Sequence, residues 1–448
     1  MLRLLRGARV VDPISGLDGI RDILIDRDRI ARIDISIPPS TCRGATVIEL
    51  GAGLVVCPGF IDMHVHLREP GYEHKETVAT GTASAVAGGF TAVACMPNTH
   101  PVNDNASVTR FILKQAAEAG LARVYPIGAV SQGSKGEQLA EIADMRDAGC
   151  VAFSDDGRPV ATALLMRRAL EYAGMFGMPI IDHCEDRSLS GEGVAHEGYH
   201  AAQLGLRGIP SAAEDVMVER DIVLADITGG HAHIAHISTA GALRAVRAGK
   251  ARSVRITCEV APHHFTMSDQ WLAAPVSYDT NVKMNPPLRA AADRDALVEG
   301  IRDGSIDAIA TDHAPHHADD KRVEFDRASF GIVGLETAVS LCLDRLVHAD
   351  VIGWPRLVEL LSVNPARILG VAGGSISVGR AADLTILAPD LPVIVNAARF
   401  RSKSRNTPFD GWSLRGGVAA TIVGGRVVYV NPEVPTAAGL GPLSGGQP

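Results

Sequence analysis

The feature that most constrains the fold of this chain is a repeated alternation in its middle section, where short apolar runs follow amphipathic stretches. The apolar runs are LVVCPGFIDMHVH, FTAVACMPN, ARVYPIGAV, CVAFSDD, MPIIDHCE, AHIAHIS, SVRITCEVAPHH and AIATDHAPH. The stretches between them, such as KETVATGTASAVAGG and ATALLMRRALEYAGMFG, have the periodicity of surface helices. Buried apolar strands that alternate with helices are typical of βαβ units and a parallel sheet.

Eight such units predict a (β/α)8 TIM barrel, whereas one spurious strand would leave an open, doubly wound sheet. The ends of the runs favour the barrel, because most of them carry side chains that can bind a metal or a substrate. These side chains are His64, His66, Asn98, Asp155, Asp156, His183, His236, His263, His264 and Asp312. A closed barrel brings all the carboxyl ends of its strands to one mouth, where barrel enzymes keep their active sites.

The two ends of the chain have a different rhythm, which predicts a second domain. Residues 1–56 and 371–431 alternate apolar and polar residues between Asp, Pro and Gly breaks, as short strands do. Neither stretch alone has enough strands for a sandwich, so we expect one small β-sandwich domain built from both. The barrel then takes residues 57–370, and the Pro/Gly-rich residues 432–448 are expected to form a flexible tail.

Composition narrows the class of protein. A formal net charge of -8 gives no basic surface for nucleic acid, and no stretch approaches the roughly 18 apolar residues that a membrane helix needs. The 7 cysteines are odd in number and include no CxxC pair, which argues against a disulfide framework or a zinc knuckle. The N-terminus lacks the apolar run of a signal peptide. We therefore expect a soluble, cytoplasmic protein that binds neither nucleic acid nor membrane.

The strongest local signal for chemistry is the pair His64 and His66 at the end of an apolar strand. Side chains two residues apart on a strand point to the same side, so both imidazoles can bind one ion. His183, His236 and Asp312 stand at three further strand ends. Nitrogen and carboxylate ligands suit zinc, manganese or cobalt, and zinc is the commonest choice for hydrolysis. The sequence therefore predicts a metal site at the barrel mouth.

The fourth run decides which group can bridge two metals. No lysine occurs between Lys135 and Lys250, so a lysine carbamate cannot form on this strand. The run ends instead in Asp155 and Asp156, whose side chains point to opposite sides of a strand. Only one of them can enter the mouth, and this alternation alone leaves open which one.

Two other histidine pairs are assigned no metal. His231 and His233 precede the core of their strand, so we interpret them as structural side chains at the opposite end of the barrel or on its outside. His263 and His264 end the seventh run at the mouth, where they either line the pocket or order a loop.

The chain resembles the dihydroorotases of the long bacterial type (class I), in the cyclic amidohydrolase group of the amidohydrolase superfamily. The matching stretches include PGFIDMHVHLREPGYEHKET, GGFTAVACMPNTHPVND, AFSDDG, IDHCED, HIAHIST, CEVAPHH, KMNPPLR, AIATDHAPH, SFGIVGLET, NPARILG and VGRAADLTIL. LREPG, MPNT and NPPLR are more specific to dihydroorotases than the His-x-His pair. The resemblance implies reversible, zinc-dependent cyclisation of N-carbamoyl-L-aspartate to L-dihydroorotate with release of water, the third step of de novo pyrimidine biosynthesis.

The resemblance also implies a role for each matching residue. His64, His66 and Asp312 would hold one zinc ion and His183 and His236 a second, so that one or two ions bind per subunit. Asp156, which the family's spacing favours over Asp155, would bridge them, and Asp312 would also move the proton. The residues implied in substrate binding are His66, Arg68, Asn98, Asn285, His316, Phe330 and Gly331. Residues 313–330 resemble a flexible lid loop of this family.

Two alternatives stay open. Another cyclic amidohydrolase, a hydantoinase or an allantoinase, usually carries the carbamate lysine that this chain lacks, and its substrate-binding motifs differ. A non-catalytic, dihydroorotase-like partner of aspartate transcarbamoylase typically loses several metal ligands, whereas all six candidate positions are present here. The resemblance further implies a homodimer, and it is compatible with association between an active enzyme and aspartate transcarbamoylase.

Overall fold

The computed structural model describes residues 2–441, and the strands of this part fall into two large sheets and one small sheet. The strands are β1 (Leu2–Asp12), β2 (Leu17–Asp26), β3 (Arg29–Asp34), β4 (Thr46–Glu49), β5 (Val55–Pro58), β6 (Phe60–Val65), β7 (Phe90–Cys95), β8 (Arg123–Gly128), β9 (Ala152–Phe153), β10 (Pro179–Asp182), β11 (Ala195–His196), β12 (Gly208–Ile209), β13 (His231–Ile234), β14 (Ile256–Val260), β15 (Ala308–Ile309), β16 (Leu384–Ile394), β17 (Ser413–Val423) and β18 (Arg426–Val430).

Most of the helices lie in the middle of the chain, between the barrel strands. They are α1 (Val78–Ala87), α2 (Ala106–Ala119), α3 (Ile142–Ala148), α4 (Ala163–Gly174), α5 (Arg187–Ser190), α6 (Tyr199–Leu204), α7 (Ala212–Thr228), α8 (Ala240–Ala251), α9 (Pro262–Thr266), α10 (Ala291–Asp303), α11 (Ala318–Lys321), α12 (Leu335–Cys342), α13 (Trp354–Val358) and α14 (Asn364–Leu369). Among the residues that the structure describes, no helix combines the length and apolarity needed to span a membrane.

Local sequence signals explain where several of these helices begin. Thr162 precedes α4 and accepts a hydrogen bond from the backbone N–H of Leu165 at 3.2 Å. Thr239 precedes α8 and accepts from the N–H of Ala242 at 2.9 Å. A threonine in this position satisfies one of the free N–H groups at the start of a helix, which stabilises the helix by about 1 kcal/mol.

In the described part of the chain, eight parallel strands form the barrel, in the order β6-β7-β8-β9-β10-β13-β14-β15. His313, just after β15, forms a parallel bridge with Val65 at the end of β6, and the N–H of His66 donates to the His313 carbonyl at 2.9 Å. The Asp62 carboxylate accepts from the N–H of Thr311 at 3.1 Å beside this bridge. Each of the eight apolar runs overlaps one barrel strand, so the predicted (β/α)8 barrel is confirmed and the open-sheet alternative is wrong.

The second large sheet joins both ends of the chain, in the order β18-β17-β16-β5-β1-β2-β3, with β4 paired to β1. β5 is its central connection, since it pairs parallel with β1 and antiparallel with β16. Val10 and Ile23 from the N-terminal strands share one buried core with Ile386 and Ile422 from the C-terminal strands. The predicted β-sandwich domain built from both termini is therefore confirmed. Its predicted limits stay a prediction, although β5 continues past residue 56 to Pro58.

The first part of the predicted flexible tail differs from the expectation. Residues Pro435–Leu440 form a 3-10 helix, and Val434, Ala437 and Leu440 are buried in the core of the β-sandwich domain. The physical reason is the spacing of these three apolar residues, because a 3-10 helix has three residues per turn and brings them to one side. Residues 442–448 of the predicted tail lie outside the described residues.

Candidate metal centre and substrate cavity

Four imidazoles and two carboxylates meet at the carboxyl ends of the barrel strands, and all six side chains are buried. They are His64 and His66 at the end of β6, Asp156 after β9, His183 after β10, His236 after β13 and Asp312 after β15. Parallel strands of a barrel share one direction, so their carboxyl ends share one mouth. The structure thus brings together all six residues predicted as metal ligands.

Asp156 lies at the centre of this cluster. Its Oδ1 is 3.5 Å from His64 Nε2 and 3.4 Å from His236 Nε2. The same oxygen is 3.6 Å from His183 Nδ1, while Oδ2 is 3.5 Å from His66 Nε2. A carboxylate that is this close to all four imidazoles has the position that a bridging group between two ions requires.

Asp155 points away from the cluster. Its Oδ1 accepts a hydrogen bond from the backbone N–H of Ser131 at 3.0 Å, and its Oδ2 accepts from the Ser131 hydroxyl at 2.5 Å. The side-chain alternation left the choice between the two aspartates open. The geometry places Asp156 at the mouth and gives Asp155 the task of holding the turn after β8.

Asp312 faces the other side of the cluster. Its Oδ1 is 3.0 Å from His66 Nε2 and 3.5 Å from His64 Nε2. Its backbone φ is 47°, and Arg68 and His236 also have positive φ values of 64° and 29°. Residues other than glycine rarely adopt such angles, which cost about 1–3 kcal/mol and concentrate at functional sites. Three residues at one mouth share this strain.

The pKa values in the cluster favour ionised carboxylates and positively charged imidazoles. Burial alone would raise the pKa of Asp156, but the neighbouring imidazoles of His64, His183 and His236 hold that pKa well below its usual range. Burial alone would likewise lower the pKa of His183, but Asp156 and Glu185 raise it to about 10. Buried carboxylates that stabilise imidazolium charge would stabilise a bound cation for the same electrostatic reason.

Unsatisfied atoms in the cluster test whether a metal fits it. In the described part of the chain, His64 Nε2 and Asp156 Oδ1 are buried without a hydrogen-bond partner, and they lie 3.5 Å apart. Ligand atoms of His64, Asp156 and His236 lie within 4.8 Å of one another, and so do those of His64, His66 and Asp312. Leaving such atoms unpaired costs about 1–3 kcal/mol each. Two overlapping sets of nitrogen and oxygen ligands therefore fit one or two metal ions.

Glu259, a residue outside the predicted site, orients His64. Its Oε1 is 2.6 Å from His64 Nδ1, and its Oε2 is 3.3 Å from Nε2 of His233, inside the barrel. A carboxylate on one imidazole nitrogen fixes the tautomer and directs the other nitrogen toward the metal. For His64, that other nitrogen is the unpaired Nε2 at the cluster. The available signal was the one acidic residue in a mostly apolar strand.

Three of the four histidines in the two remaining pairs contact structural groups. His231 Nε2 and His233 Nδ1 are each 2.8 Å from the hydroxyl of Thr257. His264 Nε2 donates to the Pro286 carbonyl at 2.9 Å, and so it orders the loop that carries Asn285. Of the two roles left open for His264, the structure thus shows the ordering of a loop.

A cavity of about 450 Å³ opens over the cluster. Six of the residues predicted to bind substrate line it, namely His66, Arg68, Asn98, Asn285, His316 and Phe330. Gly331, the seventh, is not among the lining residues, and its N–H donates to the Lys283 carbonyl at 2.9 Å. The structure therefore places Gly331 behind Phe330 rather than in the cavity wall.

Arg68 brings a positive charge to this cavity. Its Nε donates to the Pro315 carbonyl at 3.2 Å, and its Nη2 is 3.4 Å from His316 Nε2. Burial lowers the pKa of Arg68 to about 10, so the guanidinium stays charged near neutral pH. Burial and the nearby cations Arg68 and Lys75 lower the pKa of His316 to about 2, which keeps this imidazole neutral. Neither contact neutralises Arg68, which is thus available to a carboxylate.

Two asparagines complete the polar wall. Asn98 Oδ1 accepts from His66 Nδ1 at 2.9 Å, which leaves the Asn98 amide N–H groups for a ligand. Asn285 Nδ2 donates to Glu185 Oε2 at 3.2 Å. Glu185 also lines the cavity but was not predicted. Its position two residues after His183, at the end of the same strand, was the available signal.

Two family models and several known proteins are similar to this chain. A family model described as dihydro-orotase-like matches residues 53–242, and one described as amidohydrolase family matches residues 200–429. A dihydroorotase from Pelotomaculum thermopropionicum is 56% identical over 96% of this chain and 98% of its own length. One from Anaeromyxobacter sp. (strain K) is 55% identical, over 95% and 97% of the two chains.

The chain belongs to the dihydroorotase family. The family resemblance inferred from the motifs is thereby confirmed over nearly the whole length. Solved structures of a hydantoinase and a dihydropyrimidinase share the fold. An L-hydantoinase (dihydropyrimidinase) from Arthrobacter aurescens has a TM-score of 0.84 at 25% identity, with 96% of each chain covered. A dihydropyrimidinase from Brevibacillus agri has a TM-score of 0.82 at 21% identity, with 96% and 95% covered.

Proposed function

We propose that this member of the dihydroorotase family interconverts N-carbamoyl-L-aspartate and L-dihydroorotate, with release of water on ring closure, as the third step of de novo pyrimidine biosynthesis. The observation that carries the proposal is a single cavity in which a buried histidine–aspartate cluster faces the uncompensated guanidinium of Arg68. The cluster suits attack on an amide carbonyl. The guanidinium suits the α-carboxylate that both compounds carry.

The six clustered side chains would hold the metal. His64, His66 and Asp312 would bind one ion, and His183 and His236 a second, with Asp156 between them. When bound, the metal would lower the pKa of water and polarise the amide carbonyl. We propose zinc as the metal because nitrogen and carboxylate ligands without cysteine suit it in hydrolytic sites, and metal analysis of the purified protein tests this.

Asp312 would move the proton. Burial by itself would raise the pKa of Asp312, but His64, His66 and His236 outweigh this and hold it below the usual range, so the carboxylate is ionised. In the hydrolytic direction it would accept a proton from the attacking water and return it to the ring nitrogen as the C–N bond breaks. In the synthetic direction it would accept a proton from the carbamoyl nitrogen and give it to the departing hydroxyl.

The other cavity residues would orient the substrate. Arg68 offers two parallel N–H donors to the carboxylate, and Asn98 adds a neutral donor beside it. Asn285 and the neutral His316 would contact the ring, while Phe330 would exclude water from the reacting atoms. Holding the reacting groups in this geometry lowers the barrier because the entropy of alignment is lost on binding rather than during reaction.

An assay of four substrates side by side tests the proposal. Dihydroorotate, hydantoin, dihydrouracil and allantoin would be offered to the zinc-loaded protein, with ring opening followed by absorbance and the reverse reaction followed with N-carbamoyl-L-aspartate. We expect dihydroorotate to exceed the others in kcat/KM by at least about 100-fold, since only it carries the carboxylate that Arg68 binds. A preference for hydantoin or allantoin would favour another cyclic amidohydrolase. No turnover of any substrate would favour a non-catalytic partner of aspartate transcarbamoylase.

We also propose a homodimer as the assembly and the cytoplasm as the compartment, with association with aspartate transcarbamoylase as a further prediction. All 7 cysteines lie in the described residues, and all are unpaired and buried, as expected in a reducing compartment. Light scattering of the purified chain, alone and after mixing with the transcarbamoylase, would test the assembly.

A further inference from the structure

Two buried lysines beside the cavity have no part in the proposed chemistry. Lys283 is 2% exposed and Lys321 is 6% exposed. Burial lowers the pKa of Lys283 to about 8 and that of Lys321 to about 7. Placing amines in such surroundings costs free energy, which the contacts made by these amines must offset.

Lys283 holds the middle of the loop that leads to Phe330. Its Nζ donates to the carbonyls of Phe325 and Asp326 at 2.7 and 3.0 Å. The same Nζ lies 4.6 Å from the centre of the Phe330 ring, within the range of a cation–π contact. The backbone carbonyl of Lys283 accepts from the N–H of Gly331. One residue thus contacts the loop at three places.

Lys321 holds the far end of the same loop. Its Nζ donates to the Ser329 carbonyl at 2.8 Å and to the Gly331 carbonyl at 3.1 Å. The two bonded carbonyls flank Phe330, the residue that lines the cavity. Because an amine donates N–H to carbonyl oxygens whether or not it is charged, these contacts persist in either protonation state.

We propose that Lys283 and Lys321 are positioning residues, which fasten residues 322–331, here called the lid segment, and hold Phe330 against the substrate cavity. Together they contact backbone carbonyls in the middle and at the C-terminal end of the lid segment, so this part of the segment is fixed before substrate arrives. Such preorganisation improves binding because less conformational entropy is lost when the ligand enters. The kinetic consequence rests on the proposed function, whereas the ordering of the segment does not.

Limited proteolysis of the zinc-loaded protein without substrate tests the ordering. Arg322 and Arg327 are exposed trypsin sites inside the lid segment. In Lys283→Met and Lys321→Met, the side chain keeps its bulk but loses its donors, so local opening becomes easier. We expect cleavage after these two arginines, identified by mass spectrometry, to accelerate at least about tenfold. Both sites remain in every variant.

Lys250→Met is the matched control. The Lys250 amine also donates to a backbone carbonyl, that of Ser305, at 2.6 Å. Ser305 lies outside the lid segment, just before β15. Its removal is expected to leave cleavage in the lid segment within about twofold of wild type. If Lys283→Met and Lys321→Met behave like this control, the proposal is overturned. Cuts spread over the whole chain would indicate unfolding. Lys321→Gln, which keeps N–H donors, would then decide. We expect its rate of cleavage in the lid segment to lie between those of wild type and Lys321→Met, and a rate equal to that of Lys321→Met would overturn the proposal.

Steady-state kinetics adds a second, separable readout. Because the histidine–aspartate cluster is untouched, we expect KM for dihydroorotate to rise about tenfold while kcat stays within about threefold. An unchanged KM with an accelerated lid cleavage would overturn the positioning role and leave only a structural one. If the protein turns over no dihydroorotate at all, the proposed function fails, and the proteolysis still decides whether the lysines fasten the segment.

Discussion

At the scale of single residues, Asp312 combines the two properties that a proton-transferring group needs. Its carboxylate is ionised at neutral pH and can therefore accept a proton, and it lies at the cavity wall. Asp312→Asn removes the basic oxygen with little change of shape, so we expect kcat to fall about 1,000-fold, within the usual range for loss of a general acid–base group. Steady-state assays in both directions measure this.

The control for this substitution lies a few residues further along the chain. Asp319 is exposed near the start of α11, so Asp319→Asn is expected to leave kcat unchanged. Melting temperature and far-ultraviolet circular dichroism would show that Asp312→Asn is folded. A near-normal rate in Asp312→Asn would mean that a different group moves the proton.

Substitutions of the two adjacent aspartates are expected to change different properties, namely metal affinity for one and stability for the other. Asp156→Asn removes the carboxylate that contacts four imidazoles, so zinc affinity should fall by at least about 100-fold. Asp155→Asn should keep the zinc but lose about 1–3 kcal/mol of stability, because the Ser131 N–H and hydroxyl lose their charged acceptor. Metal content by mass spectrometry and chemical unfolding separate the two effects. The reverse ranking would exchange the roles of the two residues.

At the scale of elements, Glu259 on β14 connects across the barrel to His64 on β6. Glu259→Leu removes the acceptor at His64 Nδ1, so the imidazole loses its fixed tautomer and orientation. We expect zinc affinity, measured by competition with a chelator, to fall about 10- to 100-fold. Glu259→Gln keeps an acceptor oxygen and should fall in between, which distinguishes orientation from packing. Wild-type affinity in Glu259→Leu would rule out this role.

The elements also show what the sequence could and could not predict. The apolar runs predict all eight barrel strands, because burial of a parallel strand on both faces leaves a continuous apolar pattern. The apolar pattern does not distinguish Asp155 from Asp156. The reason is that β9 has only two residues, too few to show which side chains beyond it face the barrel mouth. The contact with Ser131, from the neighbouring strand's turn, decides it.

Long-range contacts account for the other residues that the sequence did not reveal. Glu259, the acidic residue in β14, contacts His64 across the barrel, although the two are 195 residues apart in the chain. Lys283 and Lys321 reach carbonyls of the lid segment, and a carbonyl leaves no trace in the sequence of its partner. The polar strand ends can be predicted from sequence because barrel topology alone brings them together. The contacts of Glu259, Lys283 and Lys321 depend instead on the packing of particular side chains.

At the scale of the whole molecule, the candidate metal centre joins five of the eight barrel strands through side chains at their ends. Ions that bind only the folded chain stabilise it by mass action, by about 4 kcal/mol at a free concentration 1,000 times Kd. We therefore expect chelation to abolish activity and to lower the melting temperature by several degrees. Scanning calorimetry of the chelated and zinc-restored protein measures this.

The same experiment in Asp156→Asn separates the metal from other effects of chelation. This variant has lost the central ligand, so its melting temperature should change less on chelation than that of wild type, since less bound metal remains to be removed. Restoring zinc should return both stability and activity to wild-type protein. Full activity in a metal-free preparation would contradict the metal assignment, because the buried cluster would then serve the fold without taking part in the reaction.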